Sequence, residues 1–209
     1  MKYKKFIIIL FVLIVFGLTG FLAVKQYNHH RVNSLHNKIS DSSHIVGDAI
    51  DSLNGVIVYY NGEIDNVSGR NLSSDNYNLG LKYQCVEFVK RYYYEYLNHK
   101  MPDSYGNAKD FFDTKLKDGQ KNKQRDLIQF TNGSKSKPSI NDLVIYDGTI
   151  FNEYGHVAII SNVTDDEIEI IQQNPGPSGE SRAHFKLIKE NEKWVIENDK
   201  ILGWLRKQK

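Results

Sequence analysis

The sequence of 209 residues contains a single cysteine, Cys85. A domain with one thiol cannot form an internal disulfide. In an exported protein, an odd cysteine either pairs with another molecule or is a reactive group. The other interpretation is a small, buried apolar side chain. The cysteine count alone does not decide between these interpretations.

The sequence also has almost no excess of positive over negative charge. There are 27 Lys and Arg residues against 25 Asp and Glu residues, which gives a net charge of +2. This balance is typical of an ordinary globular domain and gives no reason to expect a nucleic acid as partner. The sequence has no internal repeat and no low-complexity tract.

A third absence lies near the N-terminus, where residues 6–24 carry no charged side chain. About 20 apolar residues in a helix cross a bilayer core of about 30 Å. Residues 1–5 form a basic flank, which places the N-terminus in the cytoplasm. We expect an uncleaved signal anchor, because the end of the run offers only poor cleavage sites; the alternative is a cleaved signal peptide. The rest of the chain would then lie outside the membrane, at the cell surface.

Residues 25–47 are polar and predict a tether. Four of the seven histidines lie here, but their spacing fits no particular metal geometry. We therefore expect a solvated linker, with neither a metal nor a cofactor in the protein. Residues 48–209 form the predicted folded domain.

The pattern of apolar residues in this domain predicts an α+β fold with an antiparallel sheet. Apolar residues at helical spacing predict a helix that begins at Cys85, and a shorter helix is expected from Ala108 to Leu116. Residues 63–81 are predicted to be a polar loop. The predicted strands cover residues 55–60, 142–146, 155–161, 167–172, 194–196 and 201–205.

The position of Cys85 at a helix start indicates a catalytic thiol, because unpaired N–H groups there favour a thiolate nucleophile. The partner base is predicted to be His156, the one histidine that opens a strand with an apolar continuation. A surface histidine that merely begins a strand is the alternative. Together the two residues predict a thiolate–imidazolium pair that cleaves an amide through a thioester.

A register argument adds Asn174. If strands 155–163 and 167–174 form an antiparallel hairpin with loop 164–166, Val163 lies opposite Glu167 and His156 lies opposite Asn174. Asn174 can then orient the imidazole. A two-residue loop would move Asn174 to the other face. The alternative for Asn174 is a residue that ends a strand before Pro175.

The sequence resembles the CHAP family of cysteine/histidine-dependent amidohydrolases and peptidases, and most nearly the amidase domain of glutathionylspermidine synthetase/amidase. The segments that carry the resemblance are GVIVY at 55–59, QCVEFVKR at 84–91, GNA at 106–108, NGS at 132–134, GHVAII at 155–160, QQN at 172–174 and ILGW at 201–204. The resemblance implies a papain-like fold in which a helix carrying the cysteine packs on an antiparallel sheet. It also implies Cys85 as nucleophile, His156 as base, Asn174 as its orienting group and Gln84 as a contributor to the oxyanion site.

One position departs from the family pattern, because Gln172 stands where the family usually has Glu. A carboxylate stabilises an imidazolium, whereas an amide only orients it. We therefore expect Gln172 to support the site and to weaken the activity or shift its pH profile. The sequence shows no synthetase segment, so hydrolysis is expected rather than conjugate synthesis.

Three functions follow from these observations. The first is hydrolysis of an amide in peptidoglycan, which the predicted location outside the membrane favours. The second is hydrolysis of a small peptide amide, a polyamine–peptide conjugate such as glutathionylspermidine, which the closer likeness favours. The third is a non-catalytic domain that binds wall peptides, and Gln172 is its support.

Overall fold

A computed structural model describes Gly20 and residues 44–150, 152–176 and 179–208. The predicted basic flank, the tether up to residue 43 and the predicted anchor, apart from Gly20, lie outside the described residues. None of the helices described is long and apolar enough to span a membrane. The chain divides into the units Met1–His44 and Ile45–Lys209, and the second unit contains the elements that follow.

The described residues of this unit form twelve strands, one α-helix and one 3-10 turn. In chain order they are β1 (Ala49–Leu53), β2 (Val56–Tyr59), β3 (Arg70–Leu72), β4 (Asn78–Leu81), α1 (Cys85–Glu95), the 3-10 turn (Lys109–Phe111), β5 (Gln120–Asn122), β6 (Leu127–Thr131), β7 (Leu143–Tyr146), β8 (His156–Val163), β9 (Glu167–Ile171), β10 (Arg182–Glu190), β11 (Lys193–Ile196) and β12 (Ile201–Arg206).

Eight of the described strands form one antiparallel sheet in the order β11-β10-β9-β8-β7-β12-β6-β5. Two smaller pairs, β1-β2 and β3-β4, are also antiparallel. Helix α1 packs against β8, β4 and β2. The predicted α+β class with a helix on an antiparallel sheet is therefore confirmed.

The β1-β2 hairpin follows from its turn sequence. Asn54 and Gly55 both have positive φ, 49° and 85°, and Leu53 pairs with Val56. Asn-Gly is the favoured pair for a two-residue hairpin turn in which both residues are left-handed. The predicted strand at 55–60 is present, and Asn54-Gly55 is the turn that fixes its register.

Helix α1 is buried more completely than an amphipathic stripe predicts. Phe88, Val89, Tyr92 and Tyr93 are each fully buried, whereas Tyr96, predicted on the apolar face, is 48% exposed and lies beyond the helix end. Strands on several sides of the helix explain this burial, because each side of α1 meets a different strand.

Two local predictions are wrong. The expected helix 108–116 is only a 3-10 turn at Lys109–Phe111, after which the chain is extended at Phe112. The expected loop 63–81 contains β3 and β4. Gly80 in β4 has φ +131°, and a Cβ there would lie 3.1 Å from the Cα of Glu87. Glycine thus lets β4 approach the first turn of α1 closely.

Strand β8 is buried on both faces. Val157 and Ile159 belong to the apolar cluster that includes helix α1, whereas Ala158 and Ile160 belong to a second cluster around Trp204. Successive residues of a strand point to opposite faces, so the two clusters lie on opposite sides of the sheet. The residues that follow His156 in β8 therefore pack into both apolar clusters.

Candidate active site

Cys85 is the first residue of α1. Its N-cap, Gln84, is extended, and the first intrahelical bond runs from the Phe88 amide to the Gln84 carbonyl oxygen at 3.2 Å. The amides of residues 85–87 therefore have no partner within the helix, as expected of a first turn. The Sγ atom interacts with the amides of Cys85 and Val86 and with the amide of Val157 in β8. The Cys85 thiol thus lies next to the residue that follows His156.

His156 begins β8 directly opposite Tyr146 of β7, and the two rings lie 5.7 Å apart. The residue before it has to be glycine. Gly155 has φ +72°, and a Cβ there would lie 2.5 Å from the carbonyl oxygen of Tyr146 and 2.9 Å from the Cβ of Lys109. The Gly-His pair is therefore a geometric requirement for the way in which the chain enters β8.

Gln172 holds the imidazole. Its Oε1 lies 3.0 Å from Nε2 of His156, and its own Nε2 donates to the carbonyl oxygen of Glu180 at 2.9 Å. The Glu180 carbonyl can only accept, which fixes the amide orientation and directs the Gln172 oxygen to His156. The proton of neutral His156 consequently lies on Nε2, and Nδ1 is left with the lone pair of a base.

Burial favours the neutral form of both Cys85 and His156. Burial raises the pKa of the Cys85 thiol to about 11, and the neighbouring amides only partly oppose this effect. Burial likewise lowers the pKa of His156 to about 4, against a smaller opposite effect of Gln172. Both shifts oppose the predicted thiolate–imidazolium pair, because desolvation outweighs the effect of the neighbouring amides and of the Gln172 amide; the ion pair stays a prediction.

The predicted register is correct at one end of the hairpin and wrong at the other. Val163 lies opposite Ile168, one residue later than predicted, because Thr164 pairs with Glu167 around a two-residue turn. A β-bulge at Ser161 removes this offset, so Ile159 lies opposite Ile171, as the predicted register requires. The pairing ends there.

Asn174 does not orient His156. Its Nδ2 donates to the carbonyl oxygen of Ile64 at 2.9 Å and to Oε1 of Gln84 at 2.7 Å. Its φ is +53°, so the chain has left the strand before it reaches the position opposite His156. The orienting group is Gln172, which the sequence indicated only as a supporting residue.

The predicted oxyanion role of the Gln84 side chain is also corrected. Its Nε2 donates to the carbonyl oxygens of Asn66 at 2.8 Å and Ile64 at 3.3 Å, which uses both hydrogens. The side chain therefore ties the helix start to loop 61–66 and has no donor left for a substrate. The backbone amides of Val157, Val86 and Cys85 are the donors that lie at the sulfur.

The sequence did not indicate Gln173 and Glu87, which are 0% and 1% exposed and are hydrogen-bonded to each other at the first turn of α1. Charged and amide side chains are normally solvated, so a pattern of residue types gives no reason to bury them. The one available signal was the spacing of Glu87 and Arg91, four residues apart on α1. Among the described residues, no group of His, Cys, Asp and Glu side chains is arranged to hold a metal ion.

Comparisons with known proteins agree with this site. Residues 75–174, which include Cys85, His156 and Gln172, match the family model of the CHAP domain. The trypanothione synthetase of Crithidia fasciculata is 36% identical over 107 residues, which is 51% of this chain and 16% of that protein. The bifunctional glutathionylspermidine synthetase/amidase of Escherichia coli (strain K12) is 31% identical over 153 residues, which is 68% of this chain and 24% of that protein.

The matched region therefore spans between a sixth and a quarter of the length of these curated relatives. Among solved structures, the crystal structure of Ly7917 is 24% identical and covers 35% of this chain and 30% of its own, with a TM-score of 0.26. This TM-score is too low to support a conclusion about the fold. The family match and the two curated relatives agree with the resemblance predicted from the sequence, and residues 75–174 of this chain belong to the CHAP domain family.

Proposed function

We propose that this domain hydrolyses an amide bond with Cys85 as nucleophile and His156 as general base, in a papain-like arrangement. The observation that carries the proposal is the meeting of the helix start with β8: Sγ of Cys85 lies at the amide of Val157, and Gln172 holds the ring of the adjacent His156. Family membership supports the same reaction class.

The mechanism follows from the neutral pair. As Sγ attacks the substrate carbonyl carbon, Nδ1 of His156 accepts the thiol proton. The tetrahedral oxyanion accepts hydrogen bonds from the backbone amides of Cys85 and Val86. The imidazolium then protonates the leaving amine, and the C–N bond breaks to leave a thioester on Cys85. Water attacks the thioester while His156 accepts its proton. The carboxylic acid product leaves and the thiol is restored.

Gln172 has a defined task in these steps. Because its oxygen accepts a hydrogen bond from Nε2–H of His156, it keeps the proton on Nε2 and leaves Nδ1 as the base in both proton transfers. It contributes no full charge, so the imidazolium that forms in each transition state is stabilised less than it would be by a carboxylate. We expect catalysis that relies more on orientation than on charge.

Peptidoglycan is the first substrate that we propose, as an amide within its peptide part. The support is the predicted anchor at residues 6–24, which would hold the domain at the outer face of the membrane, where this polymer lies. This proposal would make the protein a membrane-tethered cell-wall hydrolase.

A polyamine–peptide conjugate is the second candidate. The support is the likeness to a glutathionylspermidine synthetase/amidase over 68% of this chain. The corresponding reaction here would be hydrolysis of the amide between a peptide carboxyl and an amine. A non-catalytic domain that binds wall peptides is the third alternative, and its support is Gln172, which stands beside His156 where the family usually has Glu.

The test uses the purified full chain with peptidoglycan and with glutathionylspermidine in parallel, and identifies products by mass spectrometry. We expect a new amine and a new carboxyl group from one substrate, and loss of this product in Cys85→Ala and His156→Ala. His99→Ala is the matched control, because His99 is also buried but bonds the carbonyl oxygen of Arg125 instead. Product formation by Cys85→Ala would reject the nucleophile assignment, and no product from either substrate would favour the non-catalytic alternative.

A further inference from the structure

Gln173 is a fully buried amide between the two halves of the site. Its Nε2 donates to the carbonyl oxygen of Gln84 at 3.0 Å and to Oε2 of Glu87 at 2.9 Å, and its Oε1 accepts from the amide of Tyr59 at 2.8 Å. Both hydrogens and the oxygen are thus used. The side chain reaches the N-cap and first turn of α1 from the segment that follows β9.

The acceptor on the helix is itself fixed. Glu87 is 1% exposed, and its Oε1 accepts from Nε of Arg91 at 2.6 Å and from Nδ2 of Asn71 at 2.8 Å. Arg91 in turn donates to the carbonyl oxygen of Ile57 at 2.8 Å. The carboxylate therefore joins the first turn of α1 to β2 and β3, and Gln173 adds the third connection.

The two residues that flank Gln173 in the chain contact the proposed base and the residue before the proposed nucleophile. Gln172 holds the ring of His156, and Asn174 holds the side chain of Gln84. Three consecutive residues thus contact the base, the start of the nucleophile's helix and the residue before the nucleophile. A change at Gln173 would displace the thiol relative to the imidazole without removing either group.

We propose that Gln173 is a positioning residue: through Gln84 and Glu87 it fixes the distance between the Cys85 sulfur and the His156 ring. This inference rests on the proposed function for its effect on turnover. A misplacement of about 1 Å costs about 100-fold in rate, because the reacting atoms leave their attack geometry. The substrate is not bound by Gln173, so kcat should fall while KM changes little.

Gln173→Glu gives a signature that a purely structural role would not produce. An ionised carboxylate there faces Oε2 of Glu87 and the carbonyl oxygen of Gln84, both acceptors, whereas a protonated carboxyl can still donate. We expect kcat about 100-fold below wild type at pH 8 and within about 10-fold at pH 5, where His156, with a pKa of about 4, is still mostly neutral. Gln173→Met should show a similar loss without recovery at pH 5.

Gln129→Met is the matched control, because Gln129 is 1% exposed and equally hydrogen-bonded, but to Asp113 and Asn122 on β5 and the preceding loop. It should lower stability and leave the kcat of the folded fraction unchanged. The folded fraction of each variant is measured by circular dichroism. A folded Gln173→Met with wild-type kcat, or a Gln173→Glu profile parallel to wild type, would overturn the proposal.

A second readout separates this proposal from the proposed function. Cys85 is the only thiol in the chain, so iodoacetamide alkylation reports on this sulfur alone. If the wild type cleaves neither substrate, slower alkylation in both His156→Ala and Gln173→Met would support the positioning role while the proposed function fails. Alkylation at the wild-type rate in Gln173→Met would reject the positioning role in either case.

Discussion

Replacing Gln172 by Glu restores the residue that the CHAP family usually has beside its histidine. In this protein Oε1 of Gln172 lies 3.0 Å from Nε2 of His156, so a carboxylate would be placed against the imidazole with little movement. We expect the pKa of His156 to rise, because a negative charge at hydrogen-bond distance favours the imidazolium.

The size of the effect can be worked from this distance. Two opposite charges centred about 4 Å apart interact by about 4 kcal/mol at an effective dielectric constant of about 20. One pKa unit corresponds to about 1.4 kcal/mol, so the pKa of His156 should rise by about 3 units. The starting pKa is about 4, so the imidazole of the variant should titrate near pH 7.

The second carboxylate oxygen is less well accommodated. It would face the carbonyl oxygen of Glu180, which now accepts from Nε2 of Gln172 at 2.9 Å. Losing this donor and opposing two acceptors should cost about 1–3 kcal/mol of folding stability. We therefore expect Gln172→Glu to be less stable than wild type although its imidazolium is better stabilised.

The assay is an NMR titration of the His156 ring, assigned with His156→Ala, together with the pH profile of kcat/KM. The wild-type acid limb should lie near pH 4, where His156 becomes protonated, and that of Gln172→Glu near pH 7. Gln172→Met is the control, because it removes the acceptor without adding charge and should not raise the pKa. A His156 pKa that stays within about 1 unit of wild type in Gln172→Glu would refute the electrostatic reasoning.

Three further predictions concern the thiol and the core. In His156→Ala, which lacks the proposed base, alkylation of Cys85 by iodoacetamide should accelerate about tenfold per pH unit between pH 7 and 10, because the pKa of the thiol is raised to about 11; a rate already level at pH 6 would contradict the raised pKa. Gly203→Ala should lower the free energy of unfolding by more than about 3 kcal/mol in urea titrations, because the added Cβ would overlap the carbonyl oxygen of Phe130. Gly119→Ala, with φ +77° but open space around it, should cost only about 1 kcal/mol, and equal losses would reject the clash. Phe88→Ala should cost about 3–5 kcal/mol, since its side chain is fully buried, and a loss below about 1 kcal/mol would show that the site collapses freely.

The sequence predicted the helix that begins with Cys85 and the strand that begins with His156, but it missed several elements that pack against them. The helix start at Cys85 and the strand start at His156 follow from apolar periodicity, and both are present. Strands β3 and β4 were missed because they are only three and four residues long and lie within a polar stretch, and a polar stretch between two apolar ones predicts a loop.

The orienting group was misassigned for a different reason. A strand pattern gives the register only if the turn is known and no residue is inserted along the ladder. Here the turn is shorter than predicted, the bulge at Ser161 compensates, and the ladder stops at Ile171. Nothing in the types of these residues reports a bulge, so Asn174 was placed opposite His156 although the chain turns away before it.

The shifts that favour the neutral forms of Cys85 and His156 could not be predicted from the sequence either. A helix start favours a thiolate, and this effect is visible in the sequence, but the desolvation that opposes it depends on how completely the surrounding strands enclose both groups. The identity of Gln172 was visible, and its consequence became clear only with its contact to Glu180.

The extra residue in β8 also separates two regions of the hairpin that would otherwise be coupled. Ser161 absorbs the one-residue offset, and its hydroxyl donates to Glu169. The strand pairing beside the turn at Asp165 therefore differs by one residue from the pairing at the end of the strand that carries His156. We expect a one-residue length change at that turn to be absorbed at the bulge at Ser161, without moving alternate side chains to the other face along the rest of the strand. The distal loop of this enzyme-like domain is thus a suitable place for an inserted tag or probe.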